Sequence, residues 1–576
     1  MPHATLPSPG FQALILCGPG ANLDTFTVNP KSHPKALVSI ANRPMVWYPL
    51  EWCIRMGVTN VVLIAPPESK EAIEHSLNTN PHFTALRKPD VLAPADLTLT
   101  TETAEIFKLP EVQKLVTGDF IVLPCDLVCE LDGLALLEQW MVLQGGVGGA
   151  SGGLYDGSQH EMKIGGEKSG RRGGLAVWYS TKSENTVKRE ETNFIATAPL
   201  PASIVPPPQS SLRRDISNAV YSIPTDTLKD LTEGQDFQIR RALLRKHVHV
   251  KMYTAYRDAH IYFFPFWVME MIKRNENINH LGEDVLGWWA KAGWQDGLGD
   301  KLGLRDILDA PRGISSPDLS GSANLLDEDI DVESYITTKP SKPRKTEVDS
   351  TAKTPLASRV RDPDTGSKLK SLTSKTHVKI PPLLAYIQPS TPSAPLIRRV
   401  DKSDLLLNIS LRLAKYPGLD DITVTDHSPF AHSSKIAAST RAKVPVQCSI
   451  QSETSLIDEN VTISERCNIK ESVVGRGCKI GTGAKLTKCI IMEDAEVGDF
   501  VTLEECILGP RCLVEGGPKE DKNKTVLKKC EVQEGFKVNW GSEETGFQFM
   551  LGGLLQDEDE FENGGEEAGE LGDDGY

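Results

Sequence analysis

At 576 residues the chain is too long for one hydrophobic core, so two or three domains are expected. The composition, 39% hydrophobic and 24% charged, is that of a globular protein rather than a disordered or fibrous one. A net charge of −15 argues against general affinity for nucleic acid, and no apolar run reaches the length of a membrane span.

The first ten residues (MPHATLPSPG) lack a secretory signal pattern. Residues 11–17 (FQALILC) form an apolar run that reads as a buried strand, and Gly18-Pro19-Gly20 follows at once. His33-Pro34-Lys35-Ala36-Leu37 comes shortly after. A strand that runs into a glycine turn can lay backbone N–H groups against a phosphate, and a lysine can neutralise its charge. The pattern then alternates. Residues 46–56 and 68–77 read as helices, residues 58–65 and 119–123 as strands, and the latter strand ends at Pro124-Cys125-Asp126. Such alternation predicts a parallel sheet covered on both faces. A Gly-rich insert (145–174) and a Pro/Ser-rich one (199–214) read as surface loops. The basic segment 240–251 (RRALLRKHVHVK) reads as a helix end entering a strand, and a solvated face or a contact with an acidic partner suits it better than a nucleic-acid patch. Residues 259–266 read as a strand, 267–274 and 278–292 as helices.

Composition shifts near residue 311. Residues 311–380 are rich in Ser, Thr, Pro, Asp and Lys and read as a disordered linker. A connecting segment over 381–440 contains a helix over 402–415. Beyond it the chain repeats. Ile457, Val474, Ile491 and Leu508 are spaced by 17, as are Ile463, Ile480, Val497 and Val514, and Ile469, Leu486 and Leu503. Apolar steps of six, six and five predict three short strands per turn of a left-handed parallel β-helix over 441–540, with three to four coils. Residues 541–576 read as a solvated acidic tail, whose last twenty hold ten Asp or Glu and no Lys or Arg.

The eleven cysteines are odd in number and thinly spread, which suits reduced thiols in a cytosolic protein. Cys125 and Cys129 lie four apart with no second half-site, so no metal site is expected. No histidine follows His432, so the coils lack the general base that an acyltransferase of this coil type needs.

The opening resembles the sugar-nucleotide pyrophosphorylases, whose start reads roughly GGxG[ST]RLxPLTxxxPKxLLP. That resemblance implies a glycine loop and an arginine holding nucleotide phosphates, a Pro-Lys lysine on phosphate, and a strand-end aspartate on magnesium. Gly18, Gly20, Lys35 and Asp126 fall on matching positions. The family arginine falls on or beside Asn22, no arginine precedes Arg43, Pro19 replaces a glycine, and no Glu-Lys-Pro occurs anywhere. Asn cannot supply the charged, bidentate contact of a guanidinium. The expectation is a degenerate nucleotide-binding site at Gly18, Gly20, Asn22, Lys35 and Asp126, with no catalytic residue, no metal and no cofactor.

An α/β nucleotidyltransferase-like (Rossmann-like) domain over 1–310, a linker and a left-handed β-helix occur together in pyrophosphorylases and in two subunits of a translation factor. The words at residues 40–52 (IANRPMVWYPLEW), 120–127 (FIVLPCDL) and 258–262 (DAHIY) are similar to those of the gamma subunits of eukaryotic translation initiation factor 2B. The related epsilon subunit carries a further helical exchange domain, which the residues after 540 are too few to form. The resemblance implies a cytosolic, non-catalytic partner of epsilon, assembled with alpha, beta and delta subunits in a decamer. That assembly promotes GDP release from initiation factor 2, its substrate, with no membrane and no direct nucleic-acid contact. The alternative is an active sugar-1-phosphate nucleotidyltransferase, similar to GDP-mannose pyrophosphorylase.

Overall fold

The computed structural model describes residues 10–98, 100–144, 173–182, 187, 190–200, 206–208, 211–232, 237–308, 380–391, 394–421, 427–518 and 524–551. The expected linker (311–379), most of the Gly-rich insert and the acidic end (552–576) lie outside the described residues. The chain forms two compact units, one of residues 1–409 with 426–430, the other of residues 410–425 with 431–576.

The first unit is built on a nine-stranded sheet. Its strands are β1 (Gln12–Leu16), β2 (Asn60–Ile64), β3 (Asp90–Leu92), β4 (Phe120–Pro124), β6 (Gly174–Ser180), β7 (Asn193–Ala198), β8 (Ile216–Pro224), β9 (Lys251–Phe264) and β10 (Leu383–Ile387). Two short strands, β5 (Leu127–Cys129) and β11 (Ile397–Arg399), pair with each other outside it. The spatial order is β3-β2-β1-β4-β9-β6-β10-β8-β7, and β7 also pairs with β9. Strands β3, β2, β1 and β4 are mutually parallel, as their continuous apolar runs predict. The expectation of a parallel sheet fails beyond β4, because β9 runs antiparallel to β4, β6 and β7 and makes the sheet mixed.

The helices over Trp47–Arg55 (α1), Lys70–Thr79 (α2) and Trp267–Arg274 fall where the 3.6 periodicity places them. The expected helix over 278–292 is broken: a π turn at Leu281–Val285 precedes a shorter α-helix, Leu286–Ala292.

The domain boundary expected at 310 is not where the fold divides. Strand β10 lies between β6 and β8, and all five of its residues are buried. Trp289 donates its indole N–H to the Pro381 carbonyl at 2.8 Å. The described chain stops at residue 308 and resumes at 380. It returns near 381 to complete the same sheet, a long-range pairing that local composition cannot register. The expected connecting segment 381–440 is therefore split between the two units.

The second unit is a left-handed parallel β-helix of three sheets with six, six and five strands, from Ser449–Ile450 to Gln548–Phe549. Ile457, Val474, Ile491 and Leu508 stack in register, and Val532 continues the ladder. The coils are more numerous than three or four and run past residue 540. The step from Val514 to Val538 is seven residues longer than that from Val497 to Val514, which hides the last coils from a strict period of 17. The corners hold the turn. Asn460, Gly477, Asp494, Arg511 and Gly535 share positive φ, as do Glu471, Lys488, Glu505, Lys529 and Gly546. At Gly481 an added Cβ would lie 2.5 Å from the Gly498 carbonyl carbon of the next coil, so the stack leaves no room for a side chain.

Leu503 is fully buried in this core. Leu503→Ala is expected to lower the stability of the β-helix by about 3 kcal/mol, through lost burial and the cavity left behind. Lys485→Ala, at an exposed position, should change it by less than about 0.5 kcal/mol. Urea unfolding of each variant measures both.

Candidate functional site

The strand ends of β1 and β4 lie side by side, since Leu16 pairs with Pro124. Beyond β1, Gly20 takes a left-handed conformation (φ 87°) and opens a single 3-10 turn, Ala21–Leu23. Gly20 has a packing reason to be glycine: a Cβ there would lie 2.9 Å from Thr27 Cγ2 and 3.1 Å from Lys35 Cβ. Gly18 has none, because it is exposed and a Cβ there would meet nothing within 4 Å. Asn22 sits exposed on the 3-10 turn.

Lys35 and Asp126 are brought together. Lys35 begins a 3-10 turn, and its Nζ lies 2.8 Å from Asp126 Oδ2. Asp126 has no exposed side-chain surface. A third member was invisible to the sequence reading. Arg399, on β11, places Nε 3.3 Å from Asp126 Oδ1 and Nη2 3.4 Å from Oδ2. Strand β11 reaches the site because it pairs with β5, which directly follows Asp126, and the Val400 N–H closes on the Asp126 carbonyl at 2.8 Å. Burial alone would raise the Asp126 pKa, but Arg399 and Lys35 outweigh it and hold the carboxyl well below the usual range. Burial likewise opposes the charge on Lys35, yet Asp126 leads the groups that keep its pKa above the ordinary lysine value.

The ion pairs continue inward. Arg257 is held by Asp401 in a two-point contact at 2.6 and 3.1 Å, and its Nη1 lies 3.7 Å from Glu190. Three cations, Lys35 and Arg399 half-buried and Arg257 buried, thus face three carboxylates with little or no exposed side-chain surface, Asp126, Asp401 and Glu190. Strand β9 bulges beside them: Asp258 pairs with Trp178 and Tyr262 with Ala176, leaving extra residues between. His260, on that bulge, has φ 53° and receives Arg399 Nη1 at 3.1 Å on Nε2. Burial and Arg399 push the His260 pKa well down, so the ring is neutral and accepts that bond. Asp258 accepts from the Tyr262 hydroxyl and the His260 N–H, yet burial still raises its pKa to about 6.

The resemblance places magnesium on the strand-end aspartate. That does not fit the residues present, since a magnesium ion needs free carboxylate oxygen at about 2.1 Å and both Asp126 oxygens already accept from Lys35 and Arg399. Of the five residues expected from sequence, the structure joins Lys35 and Asp126, gives Gly20 a scaffold role, and leaves Gly18 and Asn22 on the exposed turn.

A nucleotidyltransferase-like α/β unit followed by a left-handed parallel β-helix defines the class of protein, and the GMPPB C-terminal domain family matches residues 441–541. The chain is similar to translation initiation factor eIF2B subunit gamma of Schizosaccharomyces pombe, 24% identical over 308 residues that cover 54% of this chain and 57% of that protein. The match thus spans little more than half the length of that relative. Both findings agree with the resemblance to gamma subunits of that factor.

Removing one partner of a buried ion pair strands the others. Asp126→Asn leaves Lys35 and Arg399 without their anion and should destabilise the first unit by about 4 kcal/mol in thermal and urea unfolding. Asp258 gives a pH signature. Its raised pKa means the neutral form supports folding fully below about pH 4, and that support is lost as pH rises through about 6. The stability of Asp258→Asn relative to the parent should therefore rise by about 2 kcal/mol between about pH 4.5 and 7.5. Urea titrations at the two pH values measure it, and a flat difference contradicts the assignment.

Proposed function

We propose that this chain is a non-catalytic subunit of the guanine-nucleotide exchange factor for translation initiation factor 2. It pairs with an epsilon subunit in the cytosol, and with alpha, beta and delta subunits in the full assembly, to promote GDP release. The observation that carries this reading is the engagement of Asp126 by Lys35 and Arg399. The three cations that could meet nucleotide phosphates are matched by carboxylates of the chain itself. Gly18, Gly20, Asn22, Lys35 and Asp126 are then a degenerate nucleotide site, of which Gly20, Lys35 and Asp126 serve as scaffold. A pocket closed on itself leaves surfaces as the means of action, and stacked parallel coils supply rigid ones. The similarity to an eIF2B gamma subunit supports the same reading. No helix of the described residues is long and apolar enough to cross a membrane, which accords with a cytosolic subunit.

Two assays test this. The chain alone should release no GDP from initiation factor 2, whereas co-expression with an epsilon subunit should yield a stable complex that releases GDP faster than epsilon alone. Recovery of the chain as a monomer in the presence of epsilon sinks the proposal. The chain with magnesium, GTP and mannose 1-phosphate should form no pyrophosphate above background. Pyrophosphate formed above background by the parent chain would instead establish the transferase reading.

A further inference from the structure

A cavity of about 470 Å³ opens in the first unit, lined by none of the residues of the Asp126 cluster. Five rings line it: Phe194, Tyr221, Phe237, Trp288 and Trp294. The polar lining includes Arg240, Lys291 and Gln295, and among the described residues no carboxylate lines it. Arg240 Nη1 is tied to Gln295 Oε1 at 3.0 Å, and the Lys291 ammonium lies 4.5 Å from the Tyr221 ring centroid. Burial and the neighbouring Arg240 both lower the Lys291 pKa, the condition of a cation that lacks an anion.

The surface around the cavity is apolar where a solvated face would be polar. Leu231 is 68% exposed, Ile239 45%, Leu244 52% and Val248 84%. Arg241, Arg245, Lys246 and Lys251 are exposed among them. Leu244 and Val248 lie outside the cavity lining, so the apolar surface reaches further than a small ligand would cover. The rings meet at steep angles, 77° for Phe194 on Tyr221 and 74° for Tyr221 on Phe237, so these three share no common plane on which successive bases could stack.

We propose that this cavity and the basic, apolar surface of residues 239–252 dock an acidic segment of a partner protein. One large apolar side chain of that segment enters among the rings, and its flanking carboxylates meet Arg240 and Lys291. Charge complementarity selects the occupant, because the described lining supplies cations and rings and the adjoining stretch 239–252 holds Arg240, Arg241, Arg245, Lys246 and Lys251 with no Asp or Glu. The inference stands apart from the exchange-factor reading, since it requires neither an epsilon subunit nor initiation factor 2.

The test uses the full chain and fluorescein-labelled acidic peptides of about twelve residues, each with one central Phe, Leu or Trp, read by anisotropy. At least one of these should bind, with affinity falling as salt is raised. Replacing the central residue by Ala, or the acids by Gln and Asn, should each weaken it about tenfold or more. Arg240→Glu, Lys291→Glu and exposed Ile239→Asp should do the same in chains whose thermal melts match the parent, and Lys485→Glu on the β-helix should have no effect. Several outcomes overturn the proposal: no peptide bound, Gln analogues bound as tightly, or affinity unchanged in the Arg240 and Lys291 variants. Equal binding of an oligothymidylate reassigns the surface to nucleic acid, and equal binding of indole-3-acetate reassigns it to a small carboxylate.

Discussion

A carboxylate with no exposure cannot stand alone in a protein interior, and Asp126 is such a carboxylate. Its two cationic neighbours come from distant parts of the chain. Lys35 follows the glycine turn after β1, and Arg399 lies 273 residues on from Asp126, on β11. Holding Asp126 therefore requires the strand ends of β1 and β4, the short β5–β11 ladder and the returning segment that contains β10 to be in place together. Arg257 and Asp401 extend the same chain of charge, and the β9 bulge seats His260 and Asp258 against it. Removing Asp126, which both Lys35 and Arg399 contact, takes a shared anion from the two cations at once.

The same network bears on chemistry. A nucleotide site keeps cations free for phosphate and an acid free for metal. Here Lys35 and Arg399 both contact the Asp126 carboxylate. The glycine turn persists for a separate reason. Gly20 cannot take a side chain without striking Thr27 and Lys35, so packing alone retains it whatever the pocket does. In the second unit, inward aliphatic residues stack coil on coil while left-handed corners and close glycine contacts turn the chain, and its face charges pair along the coils, as Lys479 does with Glu496.

Much of this was legible in one dimension. The run at 11–17 and the strand ending at Asp126 carry enough contiguous apolar residues to be buried strands, and the period of 17 names the β-helix outright. What escaped shares one cause. The antiparallel course of β9, the insertion of β10 between β6 and β8, and the last coils beyond Val514 depend on contacts between residues far apart in the chain. Arg399 escaped for the same reason: nothing within Leu396-Ile397-Arg398-Arg399-Val400 points to Asp126.

Local order thus follows from the residues alone. Strands, helix α1, the turn at Gly20 and the β-helix repeat are set by periodicity and sterics over a few residues, and the absent arginine at Asn22 already questions nucleotide transfer. Which charges meet is another matter. That Lys35 and Asp126 face each other and Arg399, and that five rings gather beside Arg240 and Lys291, came from packing strands whose partners lie tens to hundreds of residues away. Coulomb energy and desolvation depend on distance and burial in space, and a linear order of residues carries neither.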